Sequence, residues 1–303
     1  MFIDVLKRRN PELIRHSVDL HAQGLLEPDT FVIDMDVLRA NAKMILDKSQ
    51  ELSIDLFFMM KQLGRNPLIA TELVDMGYKG AVVVDWREAQ VMMDANVPLC
   101  NVGHLVQTPK HQLRTLMDYG TEFFTVYSIE KLREINDVAK EIGITQRVLI
   151  KVSGENDIFY SGQESGIEMK NLERFIDDCE SLSHIQIAGA TAFPCFLYND
   201  ESQKVEPTSN YYSVIRATQI LQNKGITVEQ VNVPSTTCVS TLELIAQGRG
   251  TVGEPGHGLT GTTPTHAIRD LEERPAVLYL SEVSHNFKDK GFAYGGGHYR
   301  RSH

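Results

Sequence analysis

The feature that most constrains this chain is a rhythm: short apolar, β-branched runs alternate with helical patterns along most of its length. After a leading run at Phe31-Val32-Ile33, eight more follow, at Leu56 to Met60, Ala81 to Val84, Leu99 to Val102, Phe123 to Val126, Val148 to Val152, Ile185 to Ala190, Val228 to Val233 and Thr251-Val252. Strands that are apolar without alternation are buried on both faces, the situation of a parallel sheet covered by helices. The fold class predicted is therefore α/β, a (β/α)8 barrel of the TIM type, with the leading run outside it and an open doubly wound sheet as the rival. No G-x-G-x-x-G follows the early runs, so the rival lacks its phosphate turn. Between the leading run and the first barrel run, Val37 to Glu51 reads as a helix with Leu38, Met44, Ile45 and Leu52 on its apolar stripe and Asp36 as its N-cap.

The barrel is expected over residues 30–275, preceded by a helical extension over 1–29. From Ala276 to Val283, and again at Phe292-Ala293-Tyr294, the pattern changes to that of an antiparallel β-region. Residues 276–303 thus read as the start of a β-domain that is incomplete in this chain, either because the natural protein is longer or because a partner subunit covers the edge.

Thirty Lys and Arg against forty Asp and Glu leave a formal net charge of -10, which repels a phosphate backbone and argues against nucleic acid. Cys100, Cys179, Cys195 and Cys238 show no C-x-x-C spacing, so neither a disulfide framework nor a zinc ribbon is indicated and a reducing compartment fits. Asp4, Lys7, Arg8 and Arg9 break up the N-terminus, leaving no room there for a signal peptide or a membrane span. A soluble, cytoplasmic protein is expected.

In a barrel the chemistry gathers at the C-terminal ends of the strands, with phosphate commonly held after strands seven and eight. The loop after the seventh run reads Pro234-Ser235-Thr236-Thr237, three hydroxyls leading into a helix from Val239, which suits a dianion. After the eighth comes Gly253-Glu254-Pro255-Gly256-His257-Gly258, whose glycines let backbone amides approach an anion closely. Either loop alone reads as an ordinary helix cap or turn. Glu254 is repelled by a phosphate unless it points at a cation or a protonated nitrogen. Lys61 closes the first run after four apolar residues; a desolvated lysine amine can form a Schiff base with a carbonyl, although a strand-end lysine more often simply reaches solvent. An amine, two phosphate loops and a carboxylate together match the needs of pyridoxal 5'-phosphate.

At these residues the chain resembles the fold-type III pyridoxal-phosphate enzymes of the alanine racemase N-terminal-domain family. The likeness begins at Thr30 to Asp36, with Leu38 and Asn41, which are similar to the family's opening strand and first helix. Met60 to Pro67, Gly103 to Gln107, Gly162 to Gly166 and Glu254 to Gly261 resemble the YhfX-like subgroup. The resemblance implies that Lys61 carries the cofactor as a Schiff base, that Ser235 binds its phosphate, and that the amides of Gly256 and His257 complete the cradle. It also implies a homodimer, with Tyr294 in Gly291-Phe292-Ala293-Tyr294-Gly295 as a second base contributed across the interface; an interface tyrosine with a satisfied hydroxyl is the plainer reading.

Three departures from alanine racemase stand out. Glu254 occupies the place of the arginine that faces the pyridine nitrogen, as in the family's decarboxylases with their similar Glu-Pro-Gly motif. The arginine near the phenolic oxygen would fall around Gln163 or Glu164, where there is none, and Thr191-Ala192-Phe193-Pro194 lacks the histidine often found against the ring. The expected function is a racemase-like isomerase working at Cα of a small amino acid, with Lys61 and Tyr294 as bases, Arg300 or Arg301 as a cationic neighbour of Tyr294, and Glu254 at the ring nitrogen. The alternatives are a decarboxylase or aldolase-type lyase, and a pyridoxal-phosphate-binding protein without turnover. A plain barrel hydrolase would leave Lys61 and Glu254 unexplained. Some relatives add a metal, but His257, His266, His285, His298 and Cys195 show no ligand spacing, so none is expected.

Overall fold

The computed structural model describes residues 2–295, which form two compact units, one from residues 43–258 and one from both ends of the chain, 2–42 with 259–295. In the first unit eight parallel strands close on themselves: β1 (Asp55–Met59), β2 (Gly80–Val83), β3 (Leu99–Val102), β4 (Phe123–Val126), β5 (Gln146–Ser153), β6 (Ile185–Thr191), β7 (Gln230–Asn232) and β8 (Val252–Gly253). Each pairs with the next, and β8 pairs back to β1 with Val252 opposite Asp55. The barrel predicted from the eight runs is the fold observed, and the open sheet is excluded by this closure.

Helices join the strands, and their ends follow from local chemistry. Asn66 accepts hydrogen bonds from the N–H groups of Leu68 and Ile69 to start Pro67–Met76, Asp85 caps Trp86–Asp94 through Glu88 N–H, and Ser128 caps Ile129–Ile142 through Lys131 N–H. Gly143 ends the last of these in the left-handed conformation, φ 75°. Inside the barrel Phe57, Val82, Cys100, Phe123, Leu149, Ala188 and Val252 pack as one buried cluster. Such a layer of side chains makes the barrel a filled core rather than a pore, which leaves chemistry to the strand ends. Two features went unforeseen: a short hairpin, Phe196–Asn199 with Lys204–Pro207, and the strand Ile167–Glu168 alongside β5.

In the second unit the leading strand Thr30–Ile33 pairs antiparallel with Val277–Leu280, outside the barrel as expected. A hairpin of Val283–Phe287 with Lys290–Ala293 supplies the antiparallel β-region predicted after Pro275. The N-terminal extension is helical, Phe2–Arg9 and Pro11–Ala22. The cap of the helix Met35–Glu51 needs correcting: Val37 N–H donates to Asp34 Oδ1 at 3.0 Å, so Asp34 rather than Asp36 is the cap. Asn41, fully buried, donates to the Leu259 and Arg274 carbonyls and accepts from Arg274 N–H, fastening residues distant in sequence. Among the described residues no helix is long and apolar enough to cross a membrane.

Candidate active site

Lys61 opens a single 3-10 turn, Lys61–Leu63, directly beyond β1, with its side chain exposed. The turn is tightened by Gly64 and Arg65, both at positive φ, and by the Arg65 N–H donating to Met60 C=O at 3.0 Å. Beyond β8 the chain folds against this same corner, for Met59 N–H donates to Pro255 C=O at 2.9 Å. A Cβ added to Gly256 would run into the Gln62 side chain, and one added to Gly258 into the Thr237 carbonyl oxygen. Those glycines therefore permit a close approach of backbone that no other residue allows.

The loop after β7 is strained. Ser235 and Thr236 sit at φ 118° and 52°, a region that L side chains rarely occupy, and Thr236 Oγ1 is buried without a hydrogen-bond partner. Thr237 lies beneath, accepting from Glu254 N–H at 3.1 Å. The helix Val239–Gln247 begins where expected, with the Thr241 hydroxyl accepting from Cys238 N–H and donating to Thr236 C=O.

Glu254 is buried, and its Oε1 accepts from Asn232 Nδ2 at 2.7 Å. Burial raises its pKa to about 7, a rise that the Asn232 hydrogen bond only moderates. No cation is paired with it among the described residues. His257, at the rim, is held below the usual imidazole value by desolvation and then by the positive charge of Lys61. Lys61, Ser235, Thr236, Thr237, Glu254, Gly256 and His257 thus follow the C-terminal ends of neighbouring strands β1, β7 and β8 in one barrel.

Tyr294 belongs to the other unit, just beyond the hairpin, with an exposed side chain. Its backbone is fixed, N–H donating to Glu282 C=O and C=O accepting from Ser281 Oγ at 2.5 Å. Arg300, Arg301 and His298 lie outside the described residues. His266 is enclosed between Thr263 and Glu273, and His285 stacks on Phe292 with ring centroids 4.7 Å apart.

Two residues at the barrel mouth were not singled out from sequence. Lys151, on β5, is 1% exposed, and its ammonium donates to His104 C=O at 3.1 Å and Ser165 Oγ at 2.8 Å. His104 follows β3, is buried edge-on against Phe193, and has neither ring nitrogen hydrogen-bonded. A lysine in the middle of Val148 to Val152 is the signal that could have found the first; a histidine directly after a strand-end glycine, the second.

Residues 33–264 match the family model of the alanine racemase N-terminal domain. The chain belongs to that family. Residues 278–303 match the model of a YhfX-like C-terminal domain. The YhfX protein of Escherichia coli (strain K12) is 43% identical over 303 residues, covering 100% of this chain and 78% of that protein. Among solved structures, D-threonine aldolase from Filomicrobium marinum is similar with a TM-score of 0.67 at 17% identity, over 86% of this chain and 70% of that one. Alanine racemase from Corynebacterium glutamicum is similar with a TM-score of 0.62 at 17% identity, over 83% and 68%. At such identities these structures share the fold: the barrel of the alanine racemase family, fold-type III among pyridoxal-phosphate enzymes.

Proposed function

We propose that this chain is a pyridoxal-phosphate-dependent isomerase of the amino-acid racemase kind, acting at Cα of a small amino acid. The observation that carries the reading is the meeting of a lysine, a strained hydroxyl loop and a buried carboxylate at one end of one barrel. Lys61 would hold the cofactor through its aldehyde carbon, Ser235, Thr236 and Thr237 with the amides of Gly256 and His257 would take its phosphate, and Glu254 would face its ring nitrogen. The residues fit the group. Thr236 Oγ1 lacks a partner in the bare chain and a phosphate oxygen would provide one; the Glu254 carboxyl lacks a cation and a protonated ring nitrogen would be one.

When bound, the cofactor supplies a delocalised sink for the electron pair left at Cα. Lys61 Nζ takes the Cα proton from one face. Tyr294, contributed across a homodimer interface, returns a proton on the other through its phenolic oxygen. Glu254 keeps a proton on the ring nitrogen by supplying the charge that balances it. Four cysteines, all free and buried, fit a reducing cytoplasm.

The test is to load the purified protein with pyridoxal phosphate, record its visible absorbance, reduce with borohydride and map the modified peptide. Modification of Lys61 is expected. A protein that stays colourless, or is labelled at another lysine, overturns the reading. Glu254 itself favours a second chemistry at the same site, cleavage of a different Cα bond by a lyase, because a carboxylate there strengthens the electron sink. Deuterium entering Cα from solvent without release of carbon dioxide or an aldehyde supports the isomerase; release of either supports the lyase.

A further inference from the structure

The barrel mouth holds a second charged feature that the reading above leaves unused. Lys151 and Thr191 are register partners on β5 and β6, and Thr191 in turn partners Asn232 on β7, so three polar side chains cross adjacent strands in one row. All three are almost fully buried. The Lys151 ammonium spends two of its three N–H bonds on neutral oxygens, and among the described residues no carboxylate lies within ion-pair distance of it. Around it polar atoms are left over: both ring nitrogens of His104, the Thr191 hydroxyl and Gln163 Oε1 are buried without partners. The Tyr127 ring lies 5.6 Å from the ammonium, a further surface suited to a cation rather than a counter-ion.

A buried ammonium without a counter-charge is costly, and so is each unpaired donor and acceptor beside it. One small anion would relieve several of these together: it would take the third N–H of Lys151, a bond from Thr191 Oγ1, and one from a His104 nitrogen in the tautomer that donates. Glu254 itself offers a position for a cation, and the hydroxyl loop and amides that neighbour it are assigned above to the cofactor's phosphate. The buried Lys151 ammonium is thus left for a second, separate anion.

We propose that Lys151, with Thr191 and His104, forms the subsite that receives the α-carboxylate of the substrate. This rests on the amino-acid reading above and narrows it. The substrate is an amino acid with a free carboxylate, and that carboxylate is ion-paired. Pairing stabilises the carboxylate against loss as carbon dioxide, which directs bond breaking at Cα towards the C–H bond.

The probe is propionate, which has the carboxylate and lacks the amine, so it cannot react with the cofactor. Its binding is followed by line broadening of the carboxyl-labelled compound in carbon NMR, on the cofactor-free and the cofactor-loaded protein. Wild-type protein is expected to bind propionate, Lys151→Met to bind it about tenfold or more weakly, and Lys151→Arg to retain most of it. Cofactor uptake by Lys151→Met, read from visible absorbance, is expected to be unchanged. Should Lys151→Met fail to fold, the wild type carries the test. Burial lowers the Lys151 pKa to about 8, so propionate binding should fall as pH rises through that value. Of the other titratable groups near this position, burial pushes Cys195 and Tyr127 up and His104 down, whereas Glu254, raised to about 7, would also weaken anion binding as it ionises, so the pH series is repeated in Glu254→Gln, where the fall near 8 should remain. Equal binding by wild type and Lys151→Met, or binding independent of pH, overturns the proposal. Loss of cofactor affinity without loss of propionate binding also overturns it, assigning the ammonium to a cofactor oxygen instead. A protein that binds propionate yet never takes up pyridoxal phosphate would retain the anion subsite and refute the functional reading.

Discussion

Asn232 Nδ2 donates to Glu254 Oε1 across 2.7 Å, and both side chains are buried at the ends of paired strands β7 and β8. That single hydrogen bond is the named support the carboxylate has against burial, and it does not win: the pKa stays raised, at about 7.

The first prediction follows from the sign of that shift. A carboxyl whose folded pKa lies above its unfolded value binds its proton more tightly when folded, so stability is greatest below about 4.5 and falls as pH rises to about 7. The loss is on the order of 3 kcal/mol in the cofactor-free protein. Denaturant unfolding of wild type and Glu254→Gln between pH 4 and 8, values bracketing the shift, isolates this group, because the lowered pKa values of His104 and His257 add a rise with pH that both proteins share: the stability of wild type minus that of the variant should fall as pH rises. A difference that rises across this range would contradict the assignment.

Thr236→Val should separate stability from binding. The hydroxyl is buried without a partner, so replacing it with a methyl removes a cost of about 1–3 kcal/mol from the bare chain. The variant should melt at or above the wild-type temperature without cofactor, yet hold pyridoxal phosphate more weakly. Tighter cofactor binding would show that the hydroxyl has no part in the cradle.

Gly258→Ala should be among the most damaging single changes at the site. The new methyl would press into the Thr237 carbonyl, backbone against backbone, where no flexible side chain can yield. A destabilisation of about 1–3 kcal/mol is expected, with loss of cofactor retention. Gly143→Ala gives the contrast: its Cβ meets nothing within 4 Å, so any cost comes from its positive φ alone and cofactor retention should survive.

Tyr294→Phe tests the second base without disturbing the hairpin, since the contacts that fix residue 294 run through its backbone. Cα deuterium exchange of one enantiomer should persist while interconversion drops by roughly two orders of magnitude or more, the usual worth of a positioned base. Unimpaired interconversion in both directions would remove Tyr294 from the scheme. Sedimentation of the purified protein checks the homodimer that the scheme needs.

The barrel was readable because its strands are buried on both faces, so Ala81 to Val84 and Val148 to Ile150 appear as unbroken apolar runs. Where that condition lapses, so does legibility. The hairpin Phe196–Asn199 with Lys204–Pro207 is half exposed and mixed in composition, with no period to detect. Asp36 and Asp34 are equally good caps by residue type, and only the first turn at Met35 separates them. Lys61 and Glu254 were legible because each breaks its surroundings at a strand end. Lys151 was hidden inside a run otherwise apolar, since its burial depends on partners from β3 and the loop near Ser165 that sequence order does not bring together.

The pairing of Thr30–Ile33 with Val277–Leu280 also sets a timetable. On a ribosome the leading strand emerges early and then waits, with Phe31 lacking its neighbour Tyr279, while every strand of the barrel is synthesised. The barrel is thus inserted into a unit whose two halves are made before and after it, and long-range closures of this kind are slow. Until residue 280 arrives, the nascent chain carries an unpaired edge strand, and a strand made only after the whole barrel is the one that retires it.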